Sequence, residues 1–148
     1  MDRHIKKYII ESLRMFLQPK KTKYKKQKKG VLKRLEFKDN KLQFGTIGLK
    51  AKSSGLISAR QIEAARRVIA RKVKRKGKVW VRIFPDIPVT LKPNESRMGK
   101  GKGSVSYWAS KVVGGTTLFE LCGTPNQLGR EALKAGGAKL PIPVKVFD

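Results

Sequence analysis

Among its 148 residues the sequence has one cysteine, one histidine and only ten carboxylates, and each shortage removes a class of chemistry. Cys122 alone cannot build an internal disulfide framework or a cysteine-rich zinc site. His4, close to the first residue, has no second imidazole to join it, which excludes a multi-histidine metal centre, and its position argues against a histidine-based triad. No stretch approaches the roughly 18 apolar residues of a membrane-spanning helix, and no apolar core of a secretory signal is present. The scarcity of acids is the most informative deficit. Lys and Arg number 36 against 10 Asp and Glu, a formal net charge of +26. A chain so unbalanced is expected to meet a polyanion, with no membrane partner and no cofactor.

The positive charge is concentrated in three runs. Gln18 to Arg34 holds nine bases and no acid; it repels itself, has little to bury, and is expected to be an extended arm. Arg60 to Arg82 holds ten bases and one acid, Glu63. Lys92 to Gly103 adds Lys92, Arg97, Lys100 and Lys102 against Glu95. From Ser104 onward there are five bases and three acids, and the apolar pattern is the clearest in the chain. The basic surface therefore belongs to the first two thirds and much of the core to the last third.

Residues 1–15 form an N-terminal extension whose Ile5, Tyr8, Ile9 and Leu13 recur at helical spacing. Residues 16–36 are the arm, and 37–148 one α+β domain with a mobile basic loop at 92–104. Leu42 to Ala51 reads as a strand bent at Gly45 and Gly48. Ser58 and Gln61 make a capping box that opens a helix. On a wheel of about 100° per residue, Ile62, Ala65, Ile69 and Val73 share one face, with Arg60, Arg67, Arg71 and Lys74 opposite. Lys78 to Phe84 reads as a strand apolar on both faces, and Val89 to Leu91 as a strand able to pair beyond the Pro85-Asp86 turn. Ser104–Val113 and Thr116–Cys122 look like a hairpin joined at Gly114-Gly115. A second helix starts at Thr124-Pro125, with proline at its first position, and is ended or weakened by Gly136-Gly137. A short strand follows within Leu140–Phe147. The expected architecture is one mixed sheet with two helices on one side.

Little here suggests catalysis. The loop Gly99-Lys-Gly-Lys-Gly103 lacks the Ser or Thr and the glycine spacing of a phosphate-binding loop, and a strand follows it where a dinucleotide site needs a helix. Its glycines allow close backbone approach, and its lysines suit phosphate. The carboxylates do not cluster in sequence; Glu63 reads as a local ion-pair partner, and Cys122 as a small buried apolar residue. Trp80, Trp108, Tyr107 and Phe119 read as core, with Trp80 the one aromatic to watch because it shares a strand face with Arg82. In the arm, Thr22, Tyr24 and Gln27 alternate with lysines, a mixture that fits phosphates, sugars and splayed bases. Recognition by charge and shape fits RNA at least as well as DNA, and a small basic enzyme acting on RNA, such as a nuclease, is the alternative to a binding protein.

The segments LQPKKTKYKKQKKG, FGTIGLKA, ARQIEAARR, KVWVRIFPDIPVTLKP, RMGKGKG and REALKAGGAKLPI resemble, in the same order, the bacterial-type large-subunit ribosomal protein sixteen family. The resemblance covers about residues 16 to 148 and leaves residues 1–14 before the family's usual start. It implies an α/β-hammerhead-like domain, no enzymatic activity, and binding to large-subunit rRNA close to the aminoacyl-tRNA site, with neighbouring ribosomal proteins as further partners. It places Lys20, Lys21, Lys23, Tyr24, Lys25, Lys26, Lys28 and Lys29 of the arm on rRNA. From the helix region it adds Arg60, Arg66, Arg67, Arg71, Lys74 and Arg75. The loop Arg97, Met98, Gly99, Lys100, Gly101, Lys102 and Gly103 is expected to point toward tRNA. Lys outnumbers Arg 25 to 11, which fits an AT-rich genome and favours an organellar ribosome, mitochondrial before plastid, over a bacterial one.

Overall fold

A computed structural model describes residues 18–32, 34–99 and 101–148. The extension at 1–15, with its helical spacing, lies outside the described residues, as does Lys100. The described chain runs β1 (Ile47–Ala51), β2 (Gly55–Ser58), α1 (Ala59–Lys72), β3 (Lys78–Val81), β4 (Ile87–Leu91), β5 (Ser104–Val112), β6 (Thr117–Cys122), α2 (Asn126–Gly137) and β7 (Val144–Phe147). The α+β class with two helices stands. The strands divide between two sheets, ordered β3-β6-β1-β7 and β2-β5-β4, and every pairing is antiparallel.

The division corrects two sequence expectations. Ser104–Val113 and Thr116–Cys122 do not form a hairpin with each other. β6 pairs with β1, from Ile47↔Leu121 to Lys50↔Thr117, and β5 pairs with β2, from Gly55↔Val112 to Ser58↔Ala109. The two ladders are one long antiparallel ribbon in nearly unbroken register, bent where Gly114-Gly115 lies beside the β1–β2 turn. Gly115 N–H donates to Ala51 O at 2.8 Å and Ala51 N–H to Thr116 O at 3.0 Å, which carries the ribbon across the bend. Gly-Gly is a hairpin signal only if the flanking strands lack better partners, and here residues 47–58 supply them. For the same reason β4 pairs with β5 and not with β3, so residues 92–103 become the loop of a β4–β5 hairpin. The strand β2 was not expected.

The capping box forms: Ser58 N–H donates to Gln61 Oε1 at 2.9 Å, and Gln61 N–H to Ser58 Oγ at 3.4 Å. Ile62, Ala65, Ile69 and Val73 are all buried, and each large aliphatic contributes roughly 1.5–3 kcal/mol. Helix α1 stops at Lys72, with Val73 as its C-cap. Lys74 and Arg75 have φ of 51° and 60°, so they leave the helix in a left-handed turn closed by Arg75 N–H to Ala70 O at 3.0 Å.

Helix α2 begins one residue later than expected, because Pro125 has ψ 138° and serves as N-cap. It runs through both glycines. A Cβ at Gly136 would stand 2.5 Å from Ile69 Cγ1, and one at Gly137 2.5 Å from Val144 Cγ2. The pair is therefore a contact surface where α2 meets α1 and β7, and the helical cost of glycine, about 1 kcal/mol each, is offset by that approach. The helices cover the face of the larger sheet that carries Ile47, Leu49, Phe119 and Leu121.

The opposite face of that sheet holds a fully buried carboxylate, Glu120, opposite Gly48 on β1 and Trp80 on β3. It accepts from Arg82 Nη1 at 2.6 Å and from the backbone N–H groups of Gln43, Phe44 and Gly45 at 3.2, 2.7 and 2.8 Å. Arg82 also reaches Asp39 at 3.6 Å. Removing one member of a buried, hydrogen-bonded ion pair strands the rest. Glu120→Ala should lower unfolding free energy by about 3–5 kcal/mol in urea titration, whereas exposed Glu131→Ala should change it by no more than about 0.5 kcal/mol.

Candidate nucleic-acid interface

Helix α1 divides its bases into paired and unpaired. Arg66 grips Glu63 through two parallel bonds, Nε to Oε2 and Nη2 to Oε1, both 2.8 Å, and Arg67 Nε adds a third at 2.9 Å. The Arg66 hydrogen bond holds the Glu63 carboxyl below its ordinary range, and Glu63 in turn raises the Arg66 guanidinium. Arg60 and Arg71 are exposed, and neither has an ion-pair partner among the described residues. Arg67 keeps most of its surface in solvent despite its bond.

Beyond the helix, Lys72, Lys74, Arg75, Lys76 and Lys78 are all exposed, and none meets a carboxylate among the described residues. Together with Arg71 they place six cations within eight residues, on a turn that contains two left-handed residues, Lys74 and Arg75. The predicted set took in Arg71, Lys74 and Arg75 and passed over Lys72, Lys76 and Lys78. Their signal was only a charge run; its lack of acids within reach needed the fold. Lys78 also lies 5.0 Å from the Trp80 ring.

Trp80 is not an open platform. Phe44 stacks on it, with centroids 6.1 Å apart and planes 19° from parallel, and Arg82 lies 5.2 Å from the Phe44 ring. The order Lys78, Trp80, Phe44, Arg82 is a closed stack fastened to Glu120. Tyr24 in the arm is a better stacking surface. It is 62% exposed, and Lys23 Nζ is 5.6 Å from its ring.

The arm is extended and exposed, yet seated on the body. Lys26 Nζ donates to Lys102 O at 2.8 Å, and Lys102 Nζ donates back to Gln27 O at 2.5 Å. Further on, Leu35 bridges Gly114 in parallel, and Glu36 N–H donates to Gly114 O at 2.9 Å. The arm therefore follows β5 from its start to just past its end. Lys20, Lys21, Lys25, Lys28 and Lys29 line the same exposed stretch. The β4–β5 loop carries Arg97 and a fully exposed Met98, and Lys92 Nζ donates to Gly99 O at 2.6 Å across it. Arm and loop are brought together; among the described residues no hydrogen bond joins either to Arg60, Arg67 or Arg71.

A wide, unpaired cationic surface on a small α+β body describes many RNA-binding proteins, and comparison with known sequences narrows it. Residues 19–147 match the family model described as Ribosomal protein L16p/L10e. The chain belongs to that family. Relatives named "Large ribosomal subunit protein uL16" include one from Bartonella henselae, 57% identical over 132 residues, spanning 89% of this chain and 96% of the relative. Another from Caulobacter vibrioides is 56% identical over 130 residues, 88% and 91% of the two chains. A third, from Sinorhizobium medicae, is 55% identical over 129 residues, 87% and 94%. The L16p/L10e match takes in the arm, the α1 region and the loop alike.

Within this L16p/L10e chain the loop glycines differ in duty. Gly99 and Gly101 have φ of 108° and 79°, in open space, whereas a Cβ at Gly103 would fall 2.4 Å from Leu91 O. Gly103→Ala should spread the base of the β4–β5 hairpin and shift the amide resonances of Leu91 and Ser104, while Gly101→Ala, strained only at its own φ of 79° in the open loop tip, should leave Leu91 in place. Glu63 gives a second test. Its depressed carboxyl contributes stability that is present above its unfolded value, near 4.5, and lost as pH falls through the lower folded value. Glu63→Gln should flatten that acid limb in thermal melts and free Arg66 and Arg67, making the salt dependence of RNA binding steeper.

Proposed function

We propose that this chain is a structural constituent of the large ribosomal subunit that binds large-subunit rRNA and, through the β4–β5 loop, meets tRNA near the aminoacyl site. The family assignment carries the first part: the chain is a structural component and not an enzyme, which sets aside the nuclease alternative. The unpaired cations from Arg71 to Lys78 support rRNA contact from the turn after α1, and the arm supports it from an extended segment. In this reading residues 16–36 are the arm and 37–148 the body, with neighbouring ribosomal proteins completing the surroundings.

The arm residues Lys20, Lys21, Lys23, Tyr24, Lys25, Lys26, Lys28 and Lys29 then contact phosphates and bases, as do Arg60, Arg67, Arg71, Lys74 and Arg75. Arg66 is the weakest member of that set, because Glu63 already occupies the Nε–Nη2 edge of its guanidinium. The exposed loop from Arg97 to Gly103 is the part offered to tRNA. An organellar address rests on the excess of Lys over Arg alone, and the relatives named above are bacterial.

Sedimentation tests the class: the protein should migrate with the large subunit and resist moderate salt. The interface is tested by salt titration of rRNA binding. Arg67→Gln, Arg71→Gln and Lys74→Gln together should flatten the slope of log affinity against log salt by up to about 2–3, at roughly 0.7–0.9 per lost phosphate contact. An unchanged slope would leave this face in solvent.

A further inference from the structure

We propose that Lys26 and Lys102 form a reciprocal clasp that makes the basic arm and the β4–β5 loop one RNA-binding unit, so that RNA gripping the arm fixes the loop. The inference deepens the rRNA reading given above and rests on it. Two ammonium groups 76 residues apart in sequence each donate to a main-chain carbonyl on the other's segment: Lys26 to Lys102 O, and Lys102 to Gln27 O. A carbonyl acceptor depends on where the backbone runs and not on which side chain stands there. The two bonds therefore register one backbone against the other, in both directions.

The rest of the loop makes this register consequential. Lys92 to Gly99 closes the loop internally, and the Gly103 backbone packs against Leu91 O. Past the arm's contact, the Glu36 bond to Gly114 fixes its far end to the other end of β5. The arm is thus held at both ends of β5, and the loop sits at one of those holds. Singly, an exposed hydrogen bond of this kind is weak, and the loop glycines cost entropy to order. RNA phosphates that bind several lysines of the arm, Lys28 and Lys29 among them, hold Lys26 and Gln27 in place, and the ordering cost of the loop is then met in part before any tRNA arrives. Lys26 is in this sense a positioning residue for the loop, beyond its own charge.

The test uses the full chain and a charge-matched pair of variants, Lys26→Met and Lys25→Met. Each removes one cation from the arm, and Lys25 makes no hydrogen bond to the loop among the described residues. Backbone order parameters of Gly99, Gly101 and Gly103 are read by NMR relaxation, free and with a short oligouridylate at low salt. Rigid backbone gives about 0.85, and flexible backbone below about 0.6. The expected result is that Lys26→Met lowers the loop values in the free protein and Lys25→Met does not. At saturation, oligouridylate should raise them in the parent and in Lys25→Met but not in Lys26→Met, although each variant loses one arm cation and its affinity falls alike. Loop values equal in the two variants would overturn the clasp. Oligouridylate that binds the arm without changing the parent's loop would overturn the coupling. Failure of the parent to bind oligouridylate at all would remove the arm's RNA-binding role and the coupling with it, while the free-state comparison would still decide whether the clasp exists.

Discussion

The placement of the N-terminal half depends on one carboxylate. Glu120 lies at the middle of β6, in the centre of the larger sheet, on the face the helices leave uncovered. A charge there is tolerable only because it is saturated: three consecutive main-chain N–H groups and the Arg82 guanidinium converge on two oxygens. Those N–H groups belong to the segment that leads into β1. Fixing them sets where the chain enters the sheet, and Arg82 with Phe44 and Trp80 closes over the join. The Thr117 N–H bond to Asp39 O and the Glu36 bond to Gly114 continue the attachment back toward the arm.

The same economy explains why so few acids suffice. Glu63 is spent on Arg66 and Arg67, Glu120 and Asp39 on Arg82, and Asp148 on Arg130. Each neutralises a cation that the fold uses locally. The turn after α1 and much of the arm receive no such partner among the described residues, so their charge remains available to an external polyanion. Net charge says that a polyanion is expected; the disposition of the ion pairs says which residues are already committed.

Features determined by neighbours in sequence were legible from the sequence. The capping box, the buried face of α1 and its opposing bases all follow from side chains three or four residues apart. The arm followed from charge alone. The partition into two sheets was not legible, since it depends on residues 47–58 offering partners that compete with a local hairpin. Gly136-Gly137 misled for a related reason: a helix-weakening pair becomes favourable only when Ile69 and Val144 stand a few ångströms away. Glu120 gave no signal, because a lone Glu in an apolar strand looks the same whether it is an error of patterning or an anchor. For the interface, the sequence offered the loop, the stripe and the arm as separate candidates, but not the contact between Lys26 and Lys102, which spans 76 residues.

The strand order has a consequence for the birth of the protein. β1 lies between β6 and β7, so its two neighbours emerge from synthesis long after it does. At about 5–20 residues per second, the roughly one hundred residues separating β1 from β7 take about 5–20 s to appear. For roughly the first half of that interval the arm is already out, highly charged and without β5, whose two ends later hold it. In a cell crowded with nucleic acid, the nascent chain therefore presents its most adhesive segment before its body exists.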